Sequence, residues 1–341
     1  MKQDCMREAL QENIETASSM KGAMLALPES GVEKRVCDIC EGNSEIGTEG
    51  LFDTRFGIAG RYGTRKCKKC GFEQISPTPT VEELKHLYES QYNFAGSENS
   101  RYTSWREWFL FSFLNRWWMT IDGDIAFHSR RGTGRLLDIG CNEGRGLRLY
   151  AANGFTVEGL EFNEIAAMEA RRFGFAVHTC SLEALAPENR FDVAVLSNVL
   201  EHSLEPRKML EKVRHILNPG GQVWISCPNS ASWQRSVFGR SWINWHVPFH
   251  ISYFSQATLQ RLLQQSGFAA VERSQITPAL WMTQTWIAAL FSREGRITKQ
   301  LRNPFLTAAF MLIARGLLFP LAWLGNHAGR GDCLIFVATR D

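Results

Sequence analysis

Leu136-Leu137-Asp138-Ile139-Gly140-Cys141-Asn142-Glu143-Gly144-Arg145-Gly146-Leu147 reads as a short buried strand that ends on an acid, turns through glycines and opens a helix. Glycine supplies positive φ and lets backbone approach a ligand closely. Asn142 stands where a further glycine is expected, and asparagine is the next best residue for left-handed backbone. A dinucleotide-binding turn carries G-x-G-x-x-G. Counted from Gly140, that pattern meets Asn142 and Arg145 at its later glycine positions and does not fit. No Gly-Lys-Ser/Thr follows, which excludes a phosphate-binding P-loop. Taken alone, the turn suits either a ligand cradle or a plain tight connection between strand and helix.

Outward from this turn the chain alternates strand, loop and helix. Strand-like runs are Leu136 to Ile139, Phe155 to Glu161, Phe175 to Cys180, Phe191 to Leu196 and Gln222 to Cys227. A helical segment from Glu205 to Leu217 stops at the breaker cluster Asn218-Pro219-Gly220-Gly221. The alternation predicts an α/β fold with a mostly parallel sheet covered on both faces. Glu161 closes the second strand roughly 20 residues past the turn, where a carboxylate can grip ribose hydroxyls.

From about Arg135 to Phe268, and again over Asp332 to Thr339, the chain resembles the class I S-adenosylmethionine-dependent methyltransferases. The resemblance rests on Leu137 to Cys141, Glu161, Phe191-Asp192-Val193, Val199-Leu200-Glu201-His202 and Leu217 to Gly221. It implies a Rossmann-like sheet with an antiparallel last strand, and S-adenosylmethionine as cofactor. By this resemblance Asp138, Gly140 and Gly144, with Cys141 and Asn142 in the same turn, shape the methionine end of the site. Glu161 would hold the ribose, and Phe162 would lie beside the adenine. Cys180, Ser181 and Leu182 would border the adenine, with Glu183 the nearest match to an acid often found there. Ser197 and Asn198 would floor the site under the sulfonium.

Cys37-Asp38-Ile39-Cys40 and Cys67-Lys68-Lys69-Cys70 form two C-x-x-C knuckles. Four thiolates so spaced suit a closed, structural, tetrahedral zinc; two unrelated reduced pairs are the alternative. A segment of about 40 residues buries too little apolar surface to fold unaided, which favours the metal. A zinc ribbon ahead of such a domain resembles an arrangement among bacterial sugar C-methyltransferases. No counterpart of their large carboxyl-terminal domain is expected here, which argues against sugar C-methylation. Some RNA methyltransferases also carry an amino-terminal zinc site. The net charge of +3 and the lack of a basic stripe make nucleic acid the lesser expectation.

Methyl transfer to oxygen or nitrogen gains from a base that takes the acceptor proton, and histidine titrates in the right range. His246 and His250 lie in the loop after the fifth strand, and His202 follows the fourth. These three are the candidate catalytic residues; hydrogen bonding in a packed loop is the alternative role for each.

Two apolar runs, Ile276 to Phe291 and Phe305 to Leu324, precede the last strand. The second is long enough to span a bilayer. Arg315 at its middle would cost at least about 2.5 kcal/mol there, and the last strand must return to the sheet. A helical hairpin on a membrane surface, a dimer face, or a cap on its own domain is expected instead. The mixed-charge amino terminus reads as no secretory signal, and nine cysteines then imply reduced thiols or metal ligands. The expected place is cytoplasmic, with peripheral contact at the inner face of the membrane.

The expected division is a lead-in (1–34), a zinc-ribbon-like module (35–80), a helical linker and cap (81–130) and the methyltransferase domain (131–341) with its apolar insert (276–326). The aromatic run from Tyr102 to Trp118 is expected to pack as a helix, being too apolar for an exposed surface. The expected activity is O-methylation of a small or lipid-linked acceptor, a sugar or related intermediate of polysaccharide or secondary metabolism. A quinone precursor or RNA is the alternative acceptor, and a non-catalytic cofactor-binding regulator or scaffold the alternative class.

Overall fold

The computed structural model describes residues 36–91, 108–186, 188 and 190–341. The expected lead-in and the first part of the aromatic run lie outside these residues. Eleven strands are described, in two sheets. The larger has seven, in the order β10-β11-β8-β7-β4-β5-β6. They are β4 (Arg135–Ile139), β5 (Thr156–Leu160), β6 (Ala176–His178), β7 (Phe191–Ser197), β8 (Leu217–Pro228), β10 (Phe268–Ile276) and β11 (Cys333–Arg340). From β8 to β6 all neighbours are parallel, whereas β11 runs antiparallel to both β8 and β10. This is the Rossmann-like sheet with a reversed strand that the resemblance implies.

The apolar runs are continuous because both faces are covered. Along β7, Val193 and Val195 join the core under the helices Arg145–Ala152 and Glu164–Arg172. Ala194 and Leu196 join the opposite core, under Pro206–Ile216 and Gln256–Gln265. Two strand features escaped the sequence reading. The breaker cluster Asn218 to Gly221 is the start of β8, which begins directly after the helix, and β10 gave no alternation to read.

The smaller sheet is β1 (Ser44–Ile46), β2 (Gly63–Cys67), β3 (Glu73–Ser76) and β9 (Ser252–Tyr253), all antiparallel. Its fourth strand therefore comes from the loop after β8. The Ile75 amide also donates to Ile251 O (2.9 Å), and Leu51, Tyr62 and Ile75 share a core with Trp242, Trp245 and Tyr253. The cysteine-bearing segment and the histidine loop are thus one packed unit.

Helices Ala279–Phe291, Pro304–Gly316 and Phe319–His327 form the insert. Among the described residues no single helix is long and apolar enough to cross a membrane; the last two pass that test only together, across a 66° bend. Arg315 is not left in apolar surroundings: its guanidinium pairs with buried Asp122 and donates to Thr277 O (2.8 Å). Asp122 closes the helix Phe113–Asp122, so the pair ties the insert to the aromatic segment. That segment departs from the expectation of full packing, since Phe113 and Trp117 are exposed.

Candidate functional site: a glycine turn facing a histidine cluster

The turn after β4 holds Gly140 (φ 75°), Asn142 (φ 54°) and Gly144 (φ 75°) in left-handed backbone. Side chains are unwelcome there for a second reason. A Cβ on Gly140 would meet Val199 at 3.0 Å, and one on Gly144 would meet Ala170 at 2.7 Å. The cradle is braced by Glu161, which accepts from the Asn142 amide (2.9 Å) and the Asn163 amide (2.8 Å). A carboxylate has about four lone-pair sites, so Glu161 keeps capacity for ribose hydroxyls. Asp138 is buried behind the turn; burial and the Glu161 charge push its carboxyl up to about 7. Cys141 is buried in the core, and its carbonyl accepts from the Gly144 amide (3.0 Å), which closes the turn. These features fit S-adenosylmethionine, whose ammonium would reward the Asp138 charge.

Phe162 is exposed beside Glu161, free to cover a flat base. After β6, Leu182 is buried and the Ser181 hydroxyl caps a turn, accepting from the Ala184 amide (3.3 Å); Cys180 is half-buried. At the end of β7 the Ser197 hydroxyl donates to Ile125 O (3.1 Å). Asn198 takes φ 54°, and its buried side-chain oxygen has no hydrogen-bond partner.

The three histidines meet, although His202 is far in sequence from the other two. The rings of His202 and His250 stand 4.7 Å apart, as do those of His246 and His250. His250 Nδ1 lies 2.8 Å from Asn244 O, and His202 Nδ1 lies 3.0 Å from Phe249 O. A carbonyl only accepts, so each Nδ1 carries the proton and each Nε2 keeps its lone pair. Burial pushes His202 down to about 4 and holds His246 and His250 well below the usual imidazole range, so all three are neutral at pH 7. His246 sits at φ 39°, a strained position for a residue with a side chain.

Two members of this cluster were missed. Glu201 is buried beside His250 (Oε1 to Nε2 4.0 Å), and burial pushes its carboxyl up to about 8. Tyr88, on the helix Val81–Gln91, sets its hydroxyl 2.8 Å from His202 Nδ1. Glu201 was visible as a motif letter without a role; nothing in the sequence joins Tyr88 to a residue so far along the chain.

A family model described as a methyltransferase domain matches residues 102–273. The chain belongs to the S-adenosylmethionine-dependent methyltransferases. Among curated relatives, the ubiquinone biosynthesis O-methyltransferase of Pectobacterium carotovorum is 26% identical over 159 residues, 39% of this methyltransferase and 66% of the relative. That of Serratia proteamaculans is 30% identical over 123 residues, 33% of this chain and 51% of the relative. This methyltransferase thus spans less than two thirds of the relatives it matches. Among solved structures, a putative sarcosine dimethylglycine methyltransferase from Galdieria sulphuraria is 18% identical with a TM-score of 0.43, covering 71% of this chain and 88% of that one. A possible histamine N-methyltransferase from Thermotoga maritima is 16% identical with a TM-score of 0.45, covering 76% and 100%.

Away from the cradle, Cys37, Cys40, Cys67 and Cys70 bring their sulfurs within 4.8 Å of one another. Cys37 to Cys70 is 3.5 Å and Cys40 to Cys67 is 3.4 Å. Thiolates about 2.3 Å from one tetrahedral ion stand about 3.8 Å apart, so the group fits a closed four-sulfur centre.

Proposed function

We propose that this methyltransferase methylates an oxygen of an amphiphilic acceptor at a membrane surface, a lipid-linked sugar or related intermediate of polysaccharide or secondary metabolism being the first choice. The observation that carries the reading is the cluster of neutral imidazoles from the turn after β7 and the loop after β8; Val199, in the first of these, lies close to Gly140 and accepts from the His202 amide (3.0 Å). S-adenosylmethionine supplies an electrophilic methyl group when bound. Asp138 and Glu161 hold it from opposite ends, and the buried cluster orients the acceptor while excluding water. His246 takes the acceptor proton as the oxygen attacks. Cys37, Cys40, Cys67 and Cys70 would hold zinc, which would brace the small sheet and, through β9, the loop that carries His246 and His250.

The membrane part rests on the insert. Phe305, Leu312, Leu317, Leu321, Trp323 and Leu324 are exposed there. Arg293, Arg296, Lys299 and Arg302 lie in the preceding connection. An apolar face flanked by cations suits an anionic lipid surface, and it supports peripheral contact at the inner face of a membrane. A second reading, a phenolic quinone precursor, is favoured by the names of the curated relatives. The test is transfer of labelled methyl from S-adenosylmethionine to polyprenyl-diphosphate sugars or polyprenyl catechols in anionic vesicles, with flotation of the protein. Label in the sugar lipid supports the first reading and label in the catechol the second. A protein that never floats, even without salt, removes the membrane, and label in RNA alone overturns both.

A further inference from the structure

We infer that Glu201, His202 and His250 form a site for a divalent transition-metal ion, separate from the four cysteines. The three residues come from two places in the chain: the turn after β7 and the loop after β8. Each offers one ligand atom, and the three atoms lie within 4.8 Å of one another. Glu201 is 1% exposed, and neither oxygen of its carboxylate receives a hydrogen bond. Buried carboxylates are otherwise paired, hydrogen-bonded or metal-bound. This one has two imidazoles as its neighbours in place of a donor.

The imidazoles are prepared as ligands. Asn244 O holds the proton of His250 on Nδ1, and Phe249 O holds that of His202, so Nε2 is the lone-pair nitrogen in both. A histidine ligand ordinarily has its second nitrogen fixed by such a carbonyl, which sets tautomer and ring orientation before the ion arrives. Ligand atoms about 2.0–2.2 Å from one ion stand roughly 3.4 Å apart. The Glu201 to His250 separation of 4.0 Å therefore needs only a side-chain adjustment to close.

Two nitrogens and one carboxylate select zinc, iron(II), cobalt(II) or manganese(II) over calcium and magnesium, which want more oxygens. Three protein ligands also leave a coordination position open, unlike the closed four-sulfur group. An ion there would add a Lewis acid to the acceptor side. Only that consequence rests on the methyl-transfer reading, because metal binding is measured without turnover.

The experiment is titration of the metal-free full chain with cobalt(II), followed by absorption. Cobalt on four thiolates gives intense charge-transfer bands, whereas cobalt on nitrogen and oxygen gives weak ones. Wild type should take two equivalents per chain. C67S should lose the intense bands and keep the weak ones. E201Q and H250N should keep the intense bands and weaken the second equivalent by about a hundredfold or more, in line with the loss of a ligand. Binding of S-adenosylhomocysteine by E201Q and H250N reports that they are folded, and its failure in wild type would bear on the methyl-transfer reading alone. A single equivalent in wild type, or weak bands unchanged in both variants, overturns the site.

Discussion

The proposed cofactor turn is one run of chain, from Asp138 to Glu161, formed by a strand, a turn and the end of the next strand. The histidine cluster, proposed as the acceptor side, is gathered with the residues that hold it from four separate stretches: Tyr88, Glu201 with His202, His246 with His250, and Asp332. Asp332 is fully buried at the head of β11 and accepts from Ser232, Gln234, Trp242 and Asn244. It pins the loop leading to His246 onto the last strand. A local turn holds its shape through backbone conformation, while an assembled cluster holds only as long as distant packing does. The two sides should therefore fail separately.

The largest expected effect tests the assembled side. D332A leaves four buried donors without their acceptor, a cost of about 3 kcal/mol or more, read as a lower urea midpoint. Methyl transfer should collapse while S-adenosylhomocysteine still binds. Equal loss of both would erase the distinction between the sides.

E161A comes next and strikes the local side. It removes the brace of the turn and the ribose acceptor together. Charge-assisted hydrogen bonds are each worth about 1.5–3 kcal/mol, so calorimetric affinity for S-adenosylhomocysteine should fall about a hundredfold or more. Cobalt bands from the four cysteines should not change. Unaltered affinity would overturn the ribose assignment.

The smallest effect sharpens the electrostatics. Asp138 is raised to about 7 in the fold, above its unfolded value of about 4. Its protonated form is favoured in the fold, so this group destabilises the cofactor-free protein increasingly from about pH 4 to pH 7, and the loss then levels off. A bound ammonium reverses the preference, so cofactor binding at pH 7 should release up to about half a proton. Calorimetry in two buffers of different ionisation heat measures the release, which D138N should abolish. Affinity should rise from pH 6 to pH 8, and a flat profile would place the ammonium elsewhere.

The sheet was legible because its central parallel strands are apolar runs that end on small or polar residues, as at Leu136 to Gly140 and Phe191 to Asn198. The knuckles were legible because spacing alone brings two thiols to one ion. β10 was not, since Phe268 to Ile276 mixes Glu272, Arg273 and Gln275 into a strand that sits at the sheet edge and needs one apolar face at most. The aromatic segment was misjudged because apolar density says how much surface seeks cover, and not what supplies it.

By itself, then, the sequence determined the parallel strands, the glycine turn and the two cysteine pairs, each of which depends on residues a few positions apart. Tertiary structure alone decided that β9 completes the cysteine module's sheet, that Asp122 neutralises Arg315, and that Tyr88 and Glu201 join three histidines. Those pairings are long-range: they are fixed by which buried surfaces match once the chain has closed on itself, and spacing along the chain carries no record of that.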